Sequence, residues 1–557
     1  MDPNKDMKDL AQDKKADVKN RKFDKRYNRK RKFEGGKDDK RTDRSDGKKG
    51  IPWKNDWQFY AVTERIAKDI ASYPYNRLPG SKFNIPWHSG TFSNVPDSAT
   101  YLPNFCVLSY VPGIGNTNDD ANAGINIATK QLYTYVRHSN SGARNYEGPD
   151  IMMYVLAMRD IYTRFFEAKR ALGIAYAYYF ENKNFPDGLL RSIGIDPKDL
   201  RENLAQYRGR LNLLAAKINS FAVPKYFKSF DRAAFISSFY FMDSTSIRGQ
   251  AYIFRTAGYY TWSGTTSEQG TALKFSYDPS FNATSSTPAF SNVSSFKTVY
   301  LDTLEAQLDA LFYDDDANTM AGDILKAFDQ SNLYQLADIP DPYVVLGTYD
   351  EDILAQIENS FAADNYTSAT FASTFTEEVL AITQQNQIIK AGIALASTGT
   401  ASFPNGWYFN SHKDSPEFSD NLEWSRLIVS ATKSSSSWIL HYGLELLLTI
   451  TIVNMDPNYD DQRMVYSGLN QSVAVASNGS LAATAVASIA KLAIFDWHPG
   501  VYFINYSITG TDVTSSEIIP FMDLKFYTVL TDKEIHPTHD SACMAAFYAK
   551  DLYNKAQ

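Results

Sequence analysis

The chain has little cysteine and no long apolar run. Its 557 residues include two cysteines, Cys106 and Cys543, which excludes a disulfide framework and any four-cysteine zinc site. The opening residues contain no apolar stretch, so no secretory leader is expected. The Asn-x-Ser/Thr triplets at Asn282, Asn292, Asn365, Asn470, Asn478 and Asn505 then read as chance in a Ser/Thr-rich chain. The strongest apolar run, Trp438–Val453, is too short to span a bilayer and is interrupted by His441 and Glu445, so a core helix or strand is expected there. Ala-rich Ser480–Phe495 carries Lys491 and reads as a buried helix.

Signatures of catalysis are also missing. None of the seven histidines (His88, His138, His412, His441, His498, His536, His539) sits in a pattern that dictates chemistry. His536-Pro-Thr-His539-Asp540 with Cys543 comes nearest to a metal cluster, but Pro537 between the histidines favours a loop or helix start and a capping role. Asp314-Asp315-Asp316 lacks the alternate-position ligands, central Gly and closing Glu of a calcium loop and reads as a turn before a helix at Ala321. Gly113-Ile-Gly115 lacks the third glycine of a dinucleotide turn, and Gly264–Thr271 has no lysine for a phosphate loop. No Gly-x-Ser-x-Gly elbow is present, and neither cysteine has catalytic flanks. No catalytic residue, metal ligand or cofactor is therefore expected, and structural work is the natural role.

What the chain does have is a division of charge. Residues 1–50 hold 19 Lys+Arg against 11 Asp+Glu, a net charge of +8; the whole chain is −7, so residues 51–557 carry −15. Lys19–Lys32 concentrates nine basic residues (Lys19, Arg21, Lys22, Lys25, Arg26, Arg29, Lys30, Arg31 and Lys32) around one acid, Asp24. The apolar residues of this segment are few and without period, too sparse to offset the entropy of ordering, so a disordered basic arm is expected. Nucleic acid is its obvious partner, because each phosphate contact releases a counterion. Phe23, Tyr27 and Phe33 lie among the cations and could stack on bases. With no recognition helix or zinc-finger spacing, backbone binding without sequence readout follows. The plainer alternative is a localisation signal or solubilising tail.

A body of this length should contain two or three packed units. Residues 53–70 read as a helix and 71–149, rich in Pro, Gly, Asn and Ser, as an irregular layer. Asp150 could cap a helix to about Leu172, with Tyr154, Met158, Ile161, Phe165 and Ala168 on one face. Asp196, Pro197 and Asp199 open another, whose stripe of Leu200, Leu204, Tyr207, Leu211, Leu214 and Ile218 is core packing. Ser295–Leu301 looks like strand, and helices follow at Asp302–Leu311, Ala321–Phe328 and Asp350–Phe361. Strand-like runs at Val501–Thr509 and Leu524–Leu530 precede a terminal helix, Ala542–Asn554. The Ser/Thr-rich middle, about 250–425, reads as an inserted mixed α and β domain. Tyr and Phe number 36 and 34, and aromatic side chains in such quantity suit extensive subunit contacts.

Several stretches, in order, resemble capsid proteins of picobirnaviruses, which carry a two-segment double-stranded RNA genome: DIMMYVLAMRDIY (Asp150–Tyr162), DLRENLAQYRGRLNLLAAKINSF (Asp199–Phe221), MAGDILKAF (Met320–Phe328), YVVL (Tyr343–Leu346) with DILAQIEN (Asp352–Asn359), and FDWHP (Phe495–Pro499). They run across most of 150–500 and are family-typical strings, not chemical motifs. The resemblance implies a mainly α fold, with a helical shell domain (51–250 and 426–557), an inserted α+β projecting domain (251–425) and the basic arm (1–50). It implies homodimers that close into an icosahedral virion around double-stranded RNA or non-specific RNA, assembled in the host cytoplasm. The resemblance also implies N-terminal processing in some members and contact with host membranes during entry; no residue here carries either property. Two readings compete with it. One is a non-viral nucleic-acid-binding protein with a basic tail and no shell. The other is an enzyme with an unrecognised site in the 250–425 insert.

Overall fold

In the computed structural model, the described residues are 61–548, apart from 73–77, 81, 86–97, 103, 118–119, 141, 143–145, 178–183, 247, 265–269, 368–370, 397–403, 405, 435–436, 456–463, 477–488, 491 and 510–511. The chain divides into a first unit, 1–76, and a second, 77–557. Within the first, Glu64–Ile70 forms helix α1, with no buried residue and a Glu64–Lys68 pair at 2.5 Å. The remainder of the helix expected over 53–70 lies outside the described residues, as do residues 1–50.

The second unit opens with a hairpin, β1 (Lys82–Ile85) and β2 (Ser98–Tyr101), then β3 (Phe105–Pro112). β3 corrects the expectation of an irregular layer over 71–149. All eight of its residues are buried, so it shows no alternation, and helix α2 (Gly124–Ser139) follows it. A continuous apolar run bounded by Pro and Gly is how a strand covered on both faces looks in sequence.

Helix α3 (Gly148–Tyr176) is the central element, 29 residues long and buried on all sides. Its cap is Glu147, not Asp150. The Glu147 carboxylate and Asp150, the third helical residue, form a capping box, and Asp150 also accepts from Thr271 Oγ1 (2.8 Å) and Gln384 Nε2 (2.6 Å). After α4 (Phe185–Ser192), Asp196 caps α5 (Pro197–Glu202) by accepting from the Lys198 N–H at 3.0 Å, with Pro197 at the first position. The expected single helix breaks at Asn203, whose side-chain amide bonds the Asp199 carbonyl (2.9 Å), and resumes as α6 (Leu204–Ile218). Of the predicted stripe, Leu200, Tyr207, Leu211, Leu214 and Ile218 are buried and Leu204 packs against them. Helix α7 (Lys228–Ser238) lies along α3.

Strands β4 (Phe241–Met242) and β5 (Ala251–Thr256) complete one side of a five-stranded sheet that also holds β14 (Glu445–Met455) and β15 (Met464–Gly468), in the order β15-β14-β3-β5-β4. β3 and β5 run parallel, the helical block serving as their crossover, whereas β14 and β15 add antiparallel. The run Trp438–Val453 is thus strand: the end of β13 (Ser437–His441) and most of β14, with a bulge between Leu447 and Thr449.

Strands β6 (Gly258–Ser263) and β7 (Ala272–Tyr277) pair antiparallel. Ser295–Leu301 is not a strand, despite β-branched Thr298 and Val299. Lys297–Leu301 is a π-helical turn that runs into α8 (Asp302–Phe312) and buries Val299, Tyr300 and Leu301. Helix α9 (Asp315–Phe328) starts earlier than expected because Asp314 caps it, accepting from the Ala317 N–H at 2.8 Å. Helix α10 (Glu351–Glu358) follows, capped by Asp350.

The C-terminal part contains short strands β8 (Thr383–Gln385), β9 (Ile388–Lys390), β10 (Ala394–Ala396), β11 (Gly406–Asn410) and β12 (Ser430–Lys433), then β16 (Ser472–Ala476), β17 (Val501–Thr509), β18 (Asp512–Phe521) and β19 (Tyr527–Thr531). Of the helix expected over 480–495, residues 480–488 lie outside the described residues; Ile489, Leu492 and Phe495 are buried. The last described helix, which we number α11, spans Asp532–Phe547, ten residues ahead of the expected start. A Thr531–Glu534 capping box opens it, and Pro537 is tolerated inside because the carbonyl it leaves unbonded belongs to exposed Lys533. The helical expectation therefore holds for the first half of the body, while a mixed sheet that the sequence reading did not place runs through its centre.

Candidate functional site

All nine basic positions of Lys19–Lys32 lie outside the described residues. The cations that the structure does place deep in the body are already committed. Helix α3 carries three buried arginines that face different neighbours. Arg159 donates to the carbonyls of Gly113 (2.7 Å) and Leu444 (2.8 Å), tying β3 to β14. Arg170 donates to Ile236 (3.1 Å), Phe239 (3.0 Å) and Phe254 (2.7 Å), satisfying the C-terminal carbonyls of α7 and one on β5.

Arg164 belongs to a closed ionic set with Glu167, Arg255 and Asp278, every side chain of which is fully buried. Arg164 and Arg255 both reach Asp278 Oδ2 at 2.6 Å, and Arg255 also pairs with Glu167. Glu167 accepts from the Thr256 N–H (2.7 Å), and Asp278 from the Ser280 N–H (2.9 Å). Arg164 further donates to Val299 O (2.5 Å) and Thr303 Oγ1 (3.0 Å). The Tyr300 ring lies 5.2 Å from the Arg164 guanidinium carbon and 4.7 Å from that of Arg255. Two cations balance two anions. Burial acts to raise the Asp278 carboxyl, but Arg255 and then Arg164 outweigh it and hold the group below the ordinary carboxylate range. A second set lies at the start of β14. Burial opposes ionisation of Glu445, yet Arg232 (3.2 Å), Arg426 and Arg159 keep its carboxyl below the ordinary range.

These networks join segments distant in sequence, and the side chains of the first set are closed to solvent. Cys106 and Cys543 are both buried, and burial pushes each thiol up to about 12, so neither is a nucleophile. Gly113 donates to Leu444 O (2.7 Å), and Gly115, at φ +79°, sits against Cys543 Sγ, so this turn is packing rather than a phosphate cradle. Residues 265–269 of the other glycine segment lie outside the described residues. His536 and His539 stand on α11, the first exposed and the second buried. Among the described residues no group of three or more His, Cys, Asp and Glu could hold a metal ion, and no helix is long and apolar enough to cross a membrane. The sequence reading missed the buried charge because a single arginine at 159, 164 or 170 reads as a solvated position; their partners lie up to 285 residues away.

The family model described as picobirnavirus capsid protein matches residues 59–404. A capsid protein precursor of human picobirnavirus (strain Human/Thailand/Hy005102) is 25% identical over 537 residues, which cover 90% of this chain and 92% of that one. A crystal structure of the picobirnavirus capsid superposes with a TM-score of 0.76 at 31% identity, covering 89% of this chain and 99% of the other. A body whose charged interior is spent on holding itself together suits a structural protein, and the chain belongs to the picobirnavirus capsid proteins.

Proposed function

We propose that this capsid protein dimerises and closes into an icosahedral shell around double-stranded RNA in the host cytoplasm, with the basic arm, residues 1–50, as the part that contacts the nucleic acid. The observation that carries the proposal is the charge partition: +8 on the arm against −15 on the remainder. An anionic wall repels phosphate while tethered cations collect it, which condenses a genome without fixing it to the shell. The commitment of Arg159, Arg164, Arg170 and Arg255 to internal partners supports the same assignment, because these cations are not available to a polyanion. The division into shell (51–250 and 426–557) and projecting domain (251–425) is part of this proposal.

The test is expression of the full chain beside a chain lacking residues 1–50. Closed particles are expected from both, with encapsidated RNA sharply reduced in the second. Replacing Lys25, Arg26, Arg29, Lys30, Arg31 and Lys32 by Gln should lower the slope of log affinity against log salt by as much as about 5. An unchanged slope would place the RNA contacts on the body, and failure of the full chain to form particles at high concentration in physiological salt would remove the shell reading.

A further inference from the structure

Three of the described histidines converge where α11 docks on β12 and β13, although two of them, His441 and His536, are 95 positions apart. The His441 and His536 rings stack at 3.8 Å between centroids, 25° from parallel. His441 is 5% exposed and His539 is 2% exposed, whereas His536 is exposed. Hydrogen bonding fixes the tautomers of the two buried rings. The single hydroxyl hydrogen of Thr432 goes to the Asp532 carboxylate, so Thr432 Oγ1 accepts from His441 Nε2 at 2.9 Å. The lone pair of His441 is therefore on Nδ1, which is buried and has no hydrogen-bond partner among the described residues. His539 Nε2 must donate to the Ile428 carbonyl (2.7 Å), which leaves its lone pair on Nδ1, facing Gly443.

We propose that this histidine cluster is an acid-operated release for the C-terminal helix: neutral rings let α11 seat on the β12–β13 sheet, and protonating them drives it off. A proton on His441 Nδ1 places a cation in a buried position with no acceptor, against the face of a second imidazole. A proton on His539 Nδ1 places another beside the Gly443 backbone. Burial, the stacked neighbour and the mutual repulsion of the rings hold His441 and His539 each near 4.

The surrounding charges do not cancel this. Asp532 favours a charged His441, but its oxygens already accept from Ser430 (2.6 Å) and Thr432, and Thr432 stands between it and the ring. Glu445 on β14 favours a charged His539, but it is paired with Arg232 and flanked by Arg426 and Arg159. Asp540 is engaged with the Gly124 N–H (2.7 Å), Lys433 lies over the Trp438 ring, and burial keeps Tyr442 and Cys543 neutral.

The sign follows from linkage. Both folded-state values lie below the ordinary 6.5, so the open state binds more protons and the docked helix is lost as pH falls from about 6.5 toward 4. For one such histidine the opening equilibrium rises roughly 30-fold between pH 7.5 and pH 5.

The test is hydrogen exchange read by mass spectrometry on the full-length protein at pH 7.5, 6 and 5, corrected for the intrinsic pH dependence of exchange. Peptides from 532–547 should lose protection on acidification by tenfold or more beyond those from α3. His539→Gln, which keeps a donor for the Ile428 carbonyl, should reduce that loss by tenfold or more, and His536→Gln, which removes the ring stacked on His441, should reduce it by a smaller but measurable factor. His138→Gln, an exposed histidine on α2, should leave it unchanged. The proposal is overturned if the wild-type helix is equally protected at pH 5 and 7.5, if His536→Gln opens as the wild type does, or if His138→Gln suppresses the opening as much as the cluster variants. Should His539→Gln not fold, the exposed-site variant decides alone.

Discussion

Replacing Asp278 by Asn changes one atom's chemistry and unbalances the core. The two guanidiniums of Arg164 and Arg255 then share one anion, Glu167, in a site with no solvent exposure. The amide oxygen can stay at the Oδ2 position for the two arginines. Its NH₂ must then sit where Oδ1 accepted from the Ser280 N–H, setting donor against donor. Breaking a buried ionic set from one side costs about 3–5 kcal/mol, because the uncompensated charge keeps its desolvation penalty. Removing one cation together with the anion should restore most of this: Asp278→Asn with Arg164→Met leaves one positive and one negative group, Arg255 and Glu167, still paired. Urea unfolding of dissociated subunits, followed by tryptophan fluorescence, measures all three variants. We expect the double variant to be more stable than the sum of the singles by roughly 2–3 kcal/mol, the upper part of the range of about 0.5–3 kcal/mol seen for residues in one network. Strict additivity would refute the reasoning, since it would mean that Asp278 contributes shape and not charge balance.

Three further outcomes follow from individual contacts. With both thiols pushed up to about 12 by burial, Cys106 and Cys543 should not react with a thiol reagent at pH 8 until denaturant is added. Gly124→Ala would place a methyl group 2.5 Å from the Asp540 carbonyl and 2.9 Å from Met544 Cβ; displacement of α11 should cost about 1–3 kcal/mol, visible as a lower thermal midpoint. Burial acts to lower His412, but its bond to Glu358 prevails and raises it. Its contribution is therefore fully present below pH 6.5 and lost as pH rises through the folded value, so the destabilisation by His412→Gln should shrink between pH 6 and pH 9 in the same unfolding assay.

Local chemistry made parts of this fold readable. Asp196 followed by Pro197 announces a helix start, and the apolar stripe from Leu200 to Ile218 announces its buried face, because caps and periodicity act within a few residues. β3 was not readable: a strand covered on both faces loses the alternation that identifies strands, and Pro and Gly at its ends suggest loop. Thr298-Val299-Tyr300 has the composition of a strand, yet packing of Val299 through Leu301 under α3 makes it a helical turn. Tertiary burial overrides a preference worth about 1 kcal/mol.

The charges divide along the same line. The net charge of residues 1–50 can be read from sequence because it is compositional and needs no partner to be counted. The histidine cluster and the four-membered ionic set cannot, because each exists only through register: β12 against β13 opposes Ser430 to His441, and α11 then sets His536 on that ring. A one-residue slip in β13 would turn His441 to the other face and dissolve the cluster while leaving composition unchanged. For a shell protein this distinction has a physical consequence. Affinity for a polyanion tolerates almost any arrangement of cations along a basic segment, whereas a response to acid requires imidazoles buried and stacked within ångströms. Substitution in residues 1–50 should therefore change RNA retention in proportion to charge removed, while a single change at His441, His536 or His539 should alter the acid response stepwise.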